Sequence, residues 1–245
     1  MLKLIKTRNI LIFLLVVVVA IVLLFPYVKV AKEYVGLRMT GKKTVADRVS
    51  EYGHIVDQRL APLFAKAGVH YPPAEIVFIA LKTERLFEVY ANNSGEKFKK
   101  ICTYPILAAS GKIGPKLQEG DRQVPEGIYV IESMNPNSLY HLSLKISYPN
   151  ECDKRNALGE KRRNLGGDIM IHGNQVSIGC IALGDEASED LFVLTAKTGR
   201  EKIKVIVSPV DFRNRKLPED TPSAKTWVNN LYEEIKNEIM KYENG

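Results

Sequence analysis

His172 and Cys180 lie eight positions apart in the run Ile171-His172-Gly173-Asn174-Gln175-Val176-Ser177-Ile178-Gly179-Cys180. A cysteine attacks as its thiolate, and an unperturbed thiol is only a few per cent ionised at neutral pH, so a nucleophilic cysteine needs a base beside its sulfur. Imidazole is the usual base, and its second nitrogen must be held by a hydrogen bond to fix the tautomer. If residues 168–172 form a strand, the loop from Gly173 to Gly179 can fold back and bring Cys180 to the ring. No Asp or Glu lies inside that loop, so a backbone carbonyl is a candidate for the holding acceptor. Gly179 permits a sharp turn that aims backbone N–H groups at a developing oxyanion. Taken alone, the pair fits a buried small cysteine and a hydrogen-bonded structural histidine better than a catalytic dyad.

The elements around this run follow from periodicity. Val45, Val49, Tyr52, Val56, Leu60 and Leu63 recur at three- and four-residue steps, which predicts a helix over 44–67 ending at Gly68. The period then changes. Residues 76–81 and 86–90 flank the polar Lys82-Thr83-Glu84-Arg85, the pattern of a β-hairpin. Further β-like runs cover 101–109, 127–133, 140–146, 168–172 and 203–207, separated by Gly- and Pro-rich loops, which predicts a β-rich domain of Greek-key or sandwich kind. Asp185 is expected to cap a helix running to about Thr198. Trp227, Leu231, Ile235 and Ile239 form the stripe of an amphipathic C-terminal helix packed on the same domain. Lys154, Arg155, Lys161, Arg162 and Arg163 read as a solvated basic loop before the strand that carries His172.

The ends and the composition bound the class. From Ile10 to Phe25 every residue is apolar, after a basic start at Lys3, Lys6 and Arg8. That predicts an uncleaved membrane anchor, favoured over a cleaved signal peptide because Lys29 breaks the small-x-small cleavage pattern before Ala31. Charges on both flanks leave the orientation open. Residues 29–43 read as a juxtamembrane linker. The chain has 245 residues and a net charge of +7, with 35 basic and 28 acidic side chains interspersed, so no basic stripe for nucleic acid is expected. Three cysteines are too few for a disulfide scaffold, although Cys102 and Cys152 could pair in an oxidising compartment. Neither C-x-x-C nor H-x-x-x-H spacing occurs, and no metal or other cofactor is expected.

The His-Gly followed by Ser-x-Gly-Cys resembles the signature of the L,D-transpeptidase (YkuD-type) catalytic domain. The likeness continues upstream in Ser110-Gly111-Lys112-Ile113-Gly114-Pro115-Lys116, in the run from Glu119 to Tyr129, in the run from Asn135 to Ser143, and in Tyr148-Pro149-Asn150. The order and the extent, about residues 75–210, are similar to the YafK-like branch of that family. The resemblance implies a mainly β (α+β) fold, a sandwich or barrel with flanking helices, behind one N-terminal transmembrane helix. The implied division is an anchor over 1–28, a linker and helix over 29–74, a catalytic domain over 75–210 and a C-terminal helix over 211–245.

The resemblance also implies roles. Cys180 is the expected nucleophile, attacking a peptidoglycan stem peptide at a diaminopimelate carbonyl to form a thioester. His172 is the expected general base, oriented by the Gly173 carbonyl. The N–H groups of Gly179 and Cys180 are expected to line the oxyanion hole, with Ser177 shaping the loop. His141 is a candidate to line the cleft, set against a structural role that the residue type favours. Many family members carry Arg two residues after the cysteine; Ala182 stands there in this chain, and Arg122 is a candidate to bind a substrate carboxylate in its place. Expected partners are stem peptides, a peptidoglycan-linked lipoprotein, and the bacterial inner membrane through the anchor, with the catalytic domain in the periplasm. Acyl transfer, hydrolysis and a silent wall-binding module remain the alternative outcomes.

Overall fold

The structure is a computed structural model that describes residues 41–218 and 226–242, together with scattered positions between 15 and 38. The chain divides into two compact units, Met1–Lys42 and Lys43–Gly245. In the first unit, residues 17–19 and 30–36 are helical, so part of the stretch expected as a linker is helix. The apolar run 10–25, expected as an anchor, lies largely outside the described residues. Among the described residues no helix is long and apolar enough to cross a membrane.

The second unit opens with helix α1 (Val45–Ala67). Thr44 and Asp47 form a reciprocal capping box, and the helix stops at Gly68, whose left-handed backbone (φ 65°) lets its N–H return to the last-turn carbonyls. Val56 and Leu60 face the core, as the periodicity predicts, and Phe64 is fully buried beside the partly buried Leu63.

Nine strands follow: β1 (Glu75–Leu81), β2 (Leu86–Asn92), β3 (Lys99–Pro105), β4 (Ala108–Ala109), β5 (Gly127–Ser138), β6 (His141–Ile146), β7 (Met170–His172), β8 (Ile181–Ala182) and β9 (Ile203–Ser208). They form one mixed sheet in the order β3-β2-β1-β9-β5-β6-β7-β8-β4. The β1–β9 and β7–β8 pairs are parallel and the others antiparallel. Strand β5 joins the halves: Gly127–Val130 pair with β9, and the rest of the strand pairs with β6 across shifts in register. Among the described strands the ends of this ladder, β3 and β4, do not pair with each other. The fold is therefore α+β, a mixed sheet with flanking helices in which β5 carries the ladder from one half to the other.

Both faces of β1 are covered, which explains its unbroken apolar run. Ile76, Phe78 and Ala80 belong to a core shared with α1 and with helix α3 (Asp185–Thr198), through Phe64, Leu191 and Phe192. Val77, Ile79 and Leu81 meet Leu231, Ile235 and Ile239 of helix α4 (Thr226–Ile239), the C-terminal stripe read from the sequence. Two expectations need correction. The basic segment after Asn150 is not wholly loop, because Glu151–Gly159 form helix α2, capped reciprocally by Asn150 and Asp153. Asp185 does not cap α3 with its side chain: Gly184 occupies the N-cap, and the Asp185 carboxylate accepts the Asn174 N–H at 2.7 Å.

Candidate active site

Strands β7 and β8 bring the two chemical residues together. Their parallel register sets Ile171 opposite Ile181 and His172 opposite Ala182, which leaves Cys180 opposite Met170 at the mouth of the ladder. His172 and Cys180 are thus diagonal neighbours on adjacent strands. The loop between them is tied down by Leu183 N–H donating to the His172 carbonyl at 2.9 Å and Gly184 N–H to the Asn174 carbonyl at 3.0 Å.

His172 is 2% exposed. Its Nδ1 lies 2.6 Å from the Gly173 carbonyl oxygen. A carbonyl only accepts, so Nδ1 carries the proton and Nε2 is the basic nitrogen. The Tyr140 ring lies against the imidazole, with centroids 4.9 Å apart. Burial pushes the imidazole below its ordinary pKa, opposed by the Gly173 hydrogen bond. Position 173 has no room for a side chain: a Cβ there would sit 2.7 Å from the Tyr140 carbonyl oxygen and 2.8 Å from Ser188 Oγ.

Cys180 is half-buried and its sulfur is held by backbone. The Met170 N–H donates to Sγ at 3.4 Å, and the thiol faces the Asp168 carbonyl at 3.7 Å. Burial raises the thiol pKa; the Met170 N–H opposes this, the Asp168 carboxylate adds to it and Lys116 opposes it. Sulfur and imidazole do not hydrogen-bond in this state. Diagonal positions on neighbouring strands are separated by about 7 to 8 Å. Both shifts favour a neutral thiol beside a neutral imidazole at rest, with Nε2 ready to take a proton.

The amides expected to form the oxyanion hole are both engaged by serines. Cys180 N–H donates to Ser177 Oγ at 3.1 Å, and Ser177 Oγ donates to the Cys180 carbonyl at 2.5 Å, so Ser177 brackets the Cys180 backbone. Gly179 N–H donates to Ser110 Oγ at 2.6 Å. Gly179 has φ 100°, a left-handed conformation that costs glycine little.

Ser110 begins the loop that reaches Gly127, and that loop is anchored from beneath. Lys82, at the end of β1, sends its ammonium to the carbonyls of Lys112 and Val124, each at 3.0 Å, and to Glu126 Oε1 at 2.7 Å. Glu126 also accepts the Gly114 N–H and the Tyr232 hydroxyl. A buried cation thus gathers the loop's carbonyls while a buried anion gathers its donors.

The remaining candidates separate. His141 bonds Glu189 of α3 at 2.9 Å and packs edge-on against Tyr52 of α1, which is the structural role. Arg122 is exposed, has φ 54° and makes no hydrogen bond or ion pair with the described residues. Its neighbour Gln123 presents its carbonyl oxygen to Gly179, 3.7 Å from where a Cβ would stand. Ala182 is fully buried between β7 and β4, with no space for the Arg that other family members carry. All three cysteines are free thiols, so Cys102 and Cys152 do not pair. Among the described residues no group of three or more His, Cys, Asp or Glu could hold a metal.

Sequence reasoning missed Ser110 and Tyr140 as members of the site. Both lie in the motifs quoted above, but their contacts span 69 and 32 residues of chain. Only the fold makes them neighbours of the catalytic run.

Residues 74–207 match the family model described as YkuD, the L,D-transpeptidase catalytic domain. A protein of Escherichia coli K12, provisionally named L,D-transpeptidase YafK, is 31% identical over 133 residues, which cover 52% of this chain and 51% of that protein. The chain thus spans about half the length of the curated relatives it matches. Among solved structures, the helical cell shape determining protein Pgp2 of Campylobacter jejuni aligns at 20% identity and a TM-score of 0.46, over 69% of this chain and 71% of that one. L,D-transpeptidase 1 of Mycobacterium tuberculosis aligns at 18% identity and a TM-score of 0.31, over 54% and 61%. With a family model covering more than half of its length, the chain belongs to the YkuD L,D-transpeptidase catalytic domain family.

Proposed function

We propose that this protein modifies peptidoglycan stem peptides through a thioester on Cys180. The observation that carries the reading is the His172–Gly173 hydrogen bond: it leaves Nε2 unprotonated on β7, while Cys180 immediately precedes the neighbouring strand β8. Nε2 takes the thiol proton as Sγ adds to the carbonyl carbon of a diaminopimelate residue. The tetrahedral oxyanion collapses, the C–N bond breaks, and the amine leaves with the proton returned from Nε2–H. The thioester then passes its acyl group either to an amine, which gives a cross-link or an attached lipoprotein, or to water, which gives hydrolysis.

The substrate class requires the catalytic unit to lie outside the cytoplasmic membrane. The apolar run Ile10–Phe25 supports an anchor in a bacterial inner membrane, and the substrate requirement, not the flanking charges, orients it N-in with the catalytic unit in the periplasm. A peptidoglycan-linked lipoprotein is the macromolecular partner that such chemistry would attach or release. Digestion of muropeptides by the full chain, followed by mass spectrometry, tests the reading. Dimers mark transfer and shortened monomers mark hydrolysis. Unchanged muropeptides favour a wall-binding module without activity.

A further inference from the structure

We propose that Ser110 is an oxyanion donor of this site, relaying the Gly179 N–H to the reacting carbonyl through its hydroxyl. The proposal rests on Cys180 being the nucleophile. It follows from a proton count around two hydroxyls. Ser177 Oγ accepts from the Cys180 N–H and donates to the Cys180 carbonyl, so its one proton is committed within the loop. Ser110 Oγ accepts from the Gly179 N–H at 2.6 Å, and no described residue accepts its own proton. The two backbone amides expected to line the oxyanion hole are therefore occupied, and the donor left free beside them, among the described residues, is the Ser110 O–H. A hydroxyl that accepts a short hydrogen bond is polarised toward donating, so the amide's dipole is passed on rather than lost.

The loop holds Ser110 in place for this. Val124 N–H donates to the Ser110 carbonyl at 3.3 Å, and the Lys82–Glu126 pair fixes the chain on both sides of that contact. Ser110 is half-buried, so water or a substrate oxygen can reach it. The other reading of the same hydrogen bond is a plug, in which Ser110 fills the place of the oxyanion and must leave before reaction. The two readings predict opposite signs when the hydroxyl is removed.

The test compares two covalent probes on the full chain. Meropenem acylates a thiol through a tetrahedral oxyanion: Sγ bonds the β-lactam carbonyl carbon, the ring C–N bond breaks, and the nitrogen takes a proton. Iodoacetamide alkylates with loss of iodide and forms no oxyanion. Ser110→Ala is expected to slow meropenem acylation by about 100-fold, the usual effect of losing one oxyanion donor. It is expected to leave the iodoacetamide rate and its pH profile within twofold of wild type, and Ser110→Thr is expected to restore acylation. Faster acylation by Ser110→Ala identifies a plug and overturns the proposal, as does an unchanged rate or an equal loss with both probes. Acylation that survives Cys180→Ala sinks the nucleophile assignment instead, a separate outcome.

Discussion

The Nδ1–H of His172 donates to the carbonyl of its own neighbour, Gly173, at 2.6 Å. The Gly173 carbonyl, rather than a carboxylate, orients this imidazole; that hydrogen bond favours the charged ring, but burial outweighs it and lowers the pKa. The Cys180 thiol is pushed the other way. The resting pair is therefore neutral, and in the proposed reaction His172 takes the proton during attack rather than standing as half of a preformed ion pair.

This sets the pH dependence. The base is lost only as pH falls through the depressed imidazole value, so the acid limb of the acylation rate is expected to have its midpoint below the ordinary histidine value of 6.5. Iodoacetamide alkylation is expected to rise with a midpoint above the ordinary thiol value of 9.0. Rapid alkylation at pH 6 would instead reveal a standing thiolate–imidazolium pair. Stability follows the same signs. The His172 contribution is complete above 6.5 and lost as pH falls, because the unfolded chain binds the proton more readily. The Cys180 contribution is complete below 9.0 and lost as pH rises through the folded thiol value.

The Lys82–Glu126 pair is expected to hold the Ser110 loop. Its side chains are 7% and 0% exposed, and removing one partner leaves the other buried without compensation. Glu126→Gln is expected to destabilise the protein by about 3 kcal/mol in urea unfolding. The double variant Lys82→Met with Glu126→Leu is expected to recover part of that stability while losing acylation, because the loop carbonyls lose their shared cation. A double variant with full acylation would show that the pair does not position Ser110.

Arg122 is the candidate for the substrate carboxylate, since buried Ala182 leaves no room for the Arg found there in other members. A non-glycine residue at φ 54°, exposed and unpaired beside the loop that touches Gly179, carries backbone strain with no compensating contact in the free protein. Arg122→Ala is expected to raise KM about tenfold with kcat little changed, the loss of one charge-assisted hydrogen bond. A stem peptide amidated at that carboxylate should not distinguish variant from wild type. Equal losses on both peptides would remove Arg122 from recognition.

Much of this arrangement is legible in the sequence where the signal is local. The α1 face and the α4 stripe repeat often enough to define a period, Gly68 marks the α1 stop, and the β1–β2 hairpin shows as two apolar runs about a polar turn. Helix α2 escapes because Ala157 is its only buried residue, leaving charge to dominate the pattern. Strand β8 has two residues, too few for any alternation, and exists only because β7 and β4 pair with it. The run Asn135-Pro136-Asn137 falls between the expected strands 127–133 and 140–146, yet β5 continues through it with shifted register to Ser138. His172, Gly173 and Cys180 were accessible because a short loop joins them, whereas Ser110 reaches Gly179 across 69 residues.

Intact-mass analysis of the full chain after exposure to meropenem, with peptide mapping of the adduct, tests the central assignment most directly. The account predicts one equivalent of drug on the peptide containing Cys180, its loss in Cys180→Ala and a strongly slowed adduct in His172→Ala. An adduct on Cys102 or Cys152, or one that persists in Cys180→Ala, would contradict it.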